Sequence, residues 1–205
     1  MEKKAYLRKG AEAELVETSF LGRKALLKDR VQKQYRVAPL DEKIRRERTK
    51  QEAILLHRAK ELGVRTPVIY AIERKNCGIT MEFVDGKRLK DALDKNNFSA
   101  HCQELGKQIA QLHSGALVHG DLTTSNVIVK EGALVFVDFG LGFFSEKIED
   151  KAVDLLNLKK TFEATHHSLM PKAWGEITAS YCKANGEGKK VVLQVSEIEK
   201  RARYL

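Results

Sequence analysis

A chain of 205 residues is long enough to bury a substantial core, as one domain or as one domain built from two small lobes. Its 42% hydrophobic and 32% charged residues exclude a disordered chain, and no apolar run approaches the ~20 residues of a membrane span. The three scattered cysteines argue against a disulfide framework or a thiolate zinc site, the charged N-terminus lacks a signal-peptide core, so a cytoplasmic location is expected, and the net charge of +9 suits a polyanion such as nucleic acid.

Three β-rich segments open the chain, residues 5–9, 13–20 and 23–30, the last two joined by a turn at Leu21-Gly22-Arg23. From residue 41 to 62 the apolar positions Ile44, Ala53, Ile54, Leu55, Leu56, Ala59 and Leu62 predict one long helix that stops at Gly63. Pro67 follows, then strands over 68–72 and 78–84. After the Asp85-Gly86 turn the periodicity becomes helical, over 88–94 and 99–113, with Ser99 as N-cap of the second helix. Two short strands, 127–130 and 133–137, flank Glu131-Gly132, and helices over 149–165, 171–183 and 189–203 finish the chain. The expected fold is α+β: a sheet lobe with one long helix, about 1–84, and a helical lobe, about 85–205, forming a single domain.

The loop before residue 127 reads His119-Gly120-Asp121-Leu122-Thr123-Thr124-Ser125-Asn126, and twelve residues later comes Asp138-Phe139-Gly140. Transfer of a phosphoryl group from ATP needs hard oxygen ligands for Mg²⁺ and a carboxylate beside the attacking hydroxyl. Asn126 and Asp138 have the first chemistry, and Asp121 has the second. With the two lobes, this order and spacing resembles the protein-kinase fold.

That resemblance implies further site residues. Lys28, on the third strand, matches the lysine that contacts the α and β phosphates, with Glu52 or Glu47 of the long helix as its orienting carboxylate. Gly10-Ala11-Glu12-Ala13 stands at the phosphate-covering turn, Met81, Glu82 and Val84 stand at the hinge as nucleotide contacts, and His119 and Asp154 are expected to support the catalytic loop. Three departures accompany the match. The covering turn has one glycine, Thr123 replaces a lysine that would neutralise the γ-phosphate, and only residues 141–205 follow Gly140, with no APE triplet.

The GAEA turn, the helix LDEKIRRERTKQEA, HGDLTTSN, DFGL and a basic tail together resemble the small atypical kinase subunit of the KEOPS complex, called the p53-related protein kinase family in animals. The resemblance spans essentially the whole chain and implies a minimal Ser/Thr kinase that binds ATP and Mg²⁺ and acts mainly as an ATPase. It further implies a threonylcarbamoyl transferase subunit and other KEOPS subunits as partners, and a role in threonylcarbamoyl-adenosine modification of tRNA. Two alternatives stay open: a RIO-like or small-molecule kinase, against which the intact DFG and the short second lobe count, and an ATP-binding pseudokinase scaffold. Residues 28–50 hold nine Lys/Arg against four Asp/Glu, which suits either a tRNA-facing surface, Arg45 and Arg46 included, or a solvated helix face. The tail, Lys200-Arg201-Ala202-Arg203-Tyr204-Leu205, is less basic than that family's usual ending.

Overall fold

A computed structural model describes residues 5–10 and 13–202. Strands β1 (Ala5–Lys9), β2 (Glu14–Phe20) and β3 (Arg23–Asp29) lead into helix α1 (Ala38–Glu61), which is followed by β4 (Ile69–Glu73) and β5 (Gly78–Glu82). These five strands form one antiparallel sheet in the order β1-β2-β3-β5-β4. The β2–β3 turn places Leu21 and Gly22 at φ 48° and 76°. Two successive positive φ values define the turn whose twist matches antiparallel strands, and Glu131-Gly132 repeats it at 51° and 77°.

α1 begins three residues before the expected start, because Pro39 fits the first helical turn, where its missing N–H costs nothing. It ends as the Gly63 stop signal implies: Val64 N–H donates to the Ala59 carbonyl and Gly63 N–H to that of Lys60, which satisfies two terminal carbonyls. Ile54, assigned to the apolar face by periodicity, is instead 45% exposed, while Ala53, Leu55, Leu56 and Ala59 are buried.

Beyond the hinge come β6 (Lys87–Arg88), the single turn α2 (Leu89–Ala92), α3 (Phe98–Ser114), β7 (Leu117–Val118), β8 (Val127–Lys130), β9 (Ala133–Phe136), β10 (Phe143–Phe144), α4 (Ile148–Thr165), α5 (Met170–Ala184) and α6 (Gly188–Ala202). The helix expected over 88–94 shrinks to four residues because Lys87 and Arg88 pair with β8. Ser99 does not cap α3. Its hydroxyl donates to Glu176 Oε1 on α5, and the chain enters α3 through a turn in which Asp94 Oδ1 accepts the Asn96 and Asn97 N–H groups. Arg203, Tyr204 and Leu205 of the tail lie outside the described residues.

The main core runs through both lobes. Leu55, Leu56 and Ala59 of α1 join Leu105, Ile109 and Leu112 of α3, Leu155 and Phe162 of α4, Ile177 and Tyr181 of α5, and Val191 and Val195 of α6. Leu122, Val127, Phe136 and Phe139 belong to the same cluster, so the segments carrying the polar motif residues are anchored by apolar neighbours in sequence. Among the described residues no helix is long and apolar enough to cross a membrane.

Candidate active site

β3, α1 and the loop after β9 converge on Lys28. Its Nζ donates to Glu52 Oε1 at 2.6 Å and to Asp138 Oδ1 at 2.6 Å. Alternation along β3 turns Lys28 inward, and α1 crosses behind with Glu52 in its buried stripe, 1% exposed. Of the two carboxylates weighed from sequence, Glu52 makes the bond, whereas Glu47 lines a separate groove with Ile54 and Ile72. Burial pulls the Lys28 ammonium down, but Glu52 and Asp138 together outweigh it and hold the pKa above the ordinary lysine value. Asp138 is the mirror case. Burial would raise it, and the Lys28 charge and hydrogen bond bring it below the ordinary aspartate value.

The catalytic-loop candidates lie opposite. Asn126 Nδ2 donates to both the Asp121 carbonyl (2.9 Å) and Asp121 Oδ2 (2.8 Å), which fixes the two side chains relative to each other. Those bonds use the donors of the amide and leave Oδ1 as its acceptor. Asp138 sits at φ 63°, a strained value for a non-glycine residue, in a segment held by Val137 N–H on the Asn126 carbonyl and by the Lys28 bond.

Beneath the loop, Asp154 of α4 accepts two backbone bonds, from His119 N–H (2.7 Å, Oδ2) and Gly120 N–H (2.9 Å, Oδ1). Gly120 adopts φ 80° with the Leu141 carbonyl so close that a Cβ would overlap it. His119 is fully buried. Burial lowers its pKa against the pull of Asp154 and Asp138, so the ring is neutral: Nε2–H donates to the Val137 carbonyl (3.2 Å) and Nδ1 accepts Asp121 N–H (3.4 Å). Both nitrogens of this neutral ring are thus engaged by backbone groups.

Two adjoining cavities of about 320 Å³ each meet at Lys28, Asn126 and Asp138. One is walled by Leu15, Leu26, Met81, Val84, Ile128 and Val137 and suits a flat apolar ring. The other is lined by Gly10, Ala13, Lys28, Asp121, Asn126 and Asp138 and suits a charged tail. Gly10 N–H donates to the Ala13 carbonyl at 3.0 Å, closing the covering turn. Ala11 and Glu12 lie outside the described residues. The Glu82 carboxylate turns from the apolar cavity to Lys130 (3.0 Å) and Val68 N–H (3.3 Å), strapping the hinge to β8. Among the described residues no cluster of three or more His, Cys, Asp or Glu could hold a metal. One carboxylate and one amide oxygen beside this polar cavity nevertheless fit Mg²⁺, which keeps few protein ligands and completes its shell with water or phosphate oxygens.

Sequence reasoning missed three participants. Arg30 donates from Nη2 to Glu52 Oε2 at 2.6 Å. Gln51 Nε2 donates to the Gly142 carbonyl at 3.1 Å, tying α1 to the segment after Gly140. His113 Nε2 lies 3.3 Å from Asp154 Oδ2, and its Nδ1 lies 2.9 Å from Tyr181 Oη. Only Arg30 carried a signal, its two-residue spacing from Lys28. The two arginines of the expected basic face differ in their ties: Arg45, partly exposed, bonds Asp41 (2.6 Å) and the Arg30 carbonyl (3.2 Å). Arg46 remains exposed beside Glu42.

The profile of the RIO domain matches residues 15–168. The chain belongs to the RIO-domain family. The RIO domain here carries an intact Asp138-Phe139-Gly140, so the triplet held against a RIO-like protein does not exclude one; that inference from sequence is overturned by the family match. The "KEOPS complex subunit Bud32" of Pyrococcus abyssi is 40% identical, with 97% of this chain and 95% of that protein covered. A "probable bifunctional tRNA threonylcarbamoyladenosine biosynthesis protein" of Methanobrevibacter smithii is 44% identical over 96% of this chain, which spans only 36% of that relative's length. Among solved structures, the Rio2 kinase–ADP/Mg²⁺–phosphoaspartate complex from Chaetomium thermophilum aligns with TM-score 0.68 at 16% identity, over 100% of this chain and 71% of that one. WaaP in complex with acyl carrier protein aligns with TM-score 0.68 at 12% identity, over 98% and 88%. At such identities these likenesses speak for the fold, a two-lobed protein-kinase-like one.

Proposed function

We propose that this RIO-domain chain is an atypical Ser/Thr kinase that binds MgATP, turns it over mainly as an ATPase, and serves tRNA threonylcarbamoyl-adenosine modification as a subunit of a KEOPS-type complex. The observation that carries the proposal is the Lys28 ammonium held between Glu52 and Asp138 where an apolar cavity meets a polar one. The KEOPS role is carried over from the Pyrococcus abyssi relative, which this chain nearly spans.

Adenine is assigned to the cavity of Leu26, Met81 and Val84, with backbone groups of Glu82 and Val84 at the hinge. The triphosphate runs over Lys28 beneath the Gly10–Ala13 turn. Asn126 and Asp138 would hold Mg²⁺, which would offset the charge on the phosphate oxygens. Asp121, set by the Asn126 amide, orients the attacking oxygen and accepts its proton, while His119 and Asp154 brace the loop. Thr123 offers no cation to the γ-phosphate, and residues 141–147 lead directly from Gly140 into α4, leaving little surface for docking a peptide acceptor. Both features favour water as acceptor.

Phosphate release and phosphoprotein formation measured together, with and without the transferase partner and tRNA, test the proposal. Partner-stimulated release without a stable phosphoprotein is expected, and Asp138→Ala should abolish it. Stoichiometric transfer to a distinct protein would overturn the ATPase assignment, and wild-type turnover in Asp138→Ala would overturn the site.

A further inference from the structure

Glu52 holds two cations, and the nucleotide assignment uses one. Arg30 follows Lys28 by two positions of extended chain, so both side chains leave the backbone on one face. Lys28 Nζ takes Glu52 Oε1 and Arg30 Nη2 takes Glu52 Oε2, each at 2.6 Å. Arg30 is only 3% exposed. Its backbone is tied on both sides, N–H to the Cys77 carbonyl at 3.4 Å and carbonyl to Arg45 Nη1 at 3.2 Å. The guanidinium also borders the polar cavity, since a Cβ on Gly140 would lie 3.0 Å from Arg30 Nη2.

We infer that Arg30 is a positioning residue for phosphoryl transfer: it pins Glu52 so that the Lys28–Glu52 pair persists once nucleotide draws Asp138 away from Lys28. This rests on the MgATP assignment above. Lys28 and Arg30 divide the Glu52 carboxylate, one cation on each oxygen, so Arg30 keeps that carboxylate from swinging away from Lys28. A planar guanidinium suits the task better than an ammonium, because its fork fixes the direction of the carboxylate it grips. The arrangement also explains how α1 keeps its place beside so short a post-Gly140 segment: Arg30 holds it at Glu52, and Gln51 holds it at the Gly142 carbonyl.

The test is a double-mutant cycle with Arg30→Met, Glu52→Gln and the double variant, beside Arg30→Lys, in the full chain. Two quantities are read: equilibrium binding of a non-hydrolysable Mg²⁺–ATP analogue, and single-turnover phosphate release. Removing one charge-assisted bond should weaken analogue binding by about tenfold in Arg30→Met and slow release further, with partial recovery in Arg30→Lys. On the Glu52→Gln background the same change should cost less than about twofold, because its route through Glu52 is already broken. An Arg30→Met protein within about twofold of wild type in both assays would overturn the inference, and so would a full additive loss in the double variant. If Arg30→Met does not fold, Arg30→Lys decides: wild-type binding and release in that variant overturn the inference. Lys28→Met separates the two levels. If it too leaves analogue binding unchanged, the MgATP assignment fails; if it abolishes binding while Arg30→Met does nothing, only the role of Arg30 fails.

Discussion

Replacing Asp154 by alanine removes the carboxylate that accepts His119 N–H at 2.7 Å and Gly120 N–H at 2.9 Å, and that lies 3.3 Å from His113 Nε2. Neither backbone donor has an alternative acceptor within the turn, since Gly120 sits at φ 80° and the loop above is fixed by Asp121 and Asn126. Each bond to a charged acceptor contributes about 1.5–3 kcal/mol, and a buried donor left unsatisfied costs a similar amount. Two such losses put Asp154→Ala at roughly 3–6 kcal/mol, a large share of the ~5–15 kcal/mol that holds a typical domain folded. At this chain length that is on the order of 10 °C in Tm. Urea unfolding followed through Trp174, the one tryptophan of the chain, reads the effect directly. Asp154→Asn is the sharper variant, because its amide retains one acceptor oxygen and turns an NH₂ toward the other donor. It should fall between wild type and Asp154→Ala. A loss under about 1 kcal/mol in Asp154→Ala would refute the reasoning, since it would mean that water or a shifted backbone satisfies both donors at little cost.

Three other outcomes are expected. The His119 ring is neutral when folded and takes up a proton near its ordinary pKa of 6.5 when unfolded, so its share of stability is full above that value and is lost as pH falls toward the lower folded value. The slope reaches about 1.4 kcal/mol per pH unit; denaturation of wild type and His119→Gln should converge below pH 6.5, and parallel profiles would count against a depressed pKa. Gly106→Ala, which by helix propensity alone would stabilise α3 by about 1 kcal/mol, should instead destabilise by about 1–3 kcal/mol, because a Cβ would overlap the Ile177 carbonyl of α5; a raised Tm would show that the helices can separate without cost. If the exposed basic face of α1 meets tRNA, Arg46→Glu with Lys50→Glu should weaken tRNA binding and flatten its salt dependence by roughly 0.7–0.9 for each phosphate no longer neutralised, whereas unchanged affinity and slope would free this face from that role. Arg45 is left out of that pair because reversing it would break its bond to Asp41 instead of testing a surface.

Asp121, Asn126 and Asp138 were legible because a loop, two short strands and the tight turn between them fix their separation locally. The structure brings them to one wall, with Asn126 bonded to Asp121 and Asp138 reaching Lys28. The strands of the sheet and the long helices were legible through their periods of two and 3.6, to within a few residues at the ends. The two-residue strands Leu117–Val118 and Phe143–Phe144 were not, since so short a segment has no period and pairs only because the chain returns beside it. Ser99 misled for a related reason: a hydroxyl near a helix start satisfies the capping pattern, yet Glu176 on α5 offered it a charged acceptor.

The sequence by itself determined the strands and helices of an α+β chain and the close spacing of Asp121, Asn126 and Asp138, because those features rest on local periods and short separations along the chain. Which carboxylate meets Lys28 was a different matter. Glu47 and Glu52 both lie on α1, and only the rotation of that helix against the sheet puts Glu52 inward, where it meets Lys28 and Arg30 together. Tertiary packing likewise joined His113 to Tyr181, 68 residues apart, and brought Arg45 to the Arg30 carbonyl. Local geometry is written in the order of residues, but ion pairing is settled where helices and strands from distant parts of the chain exclude water together.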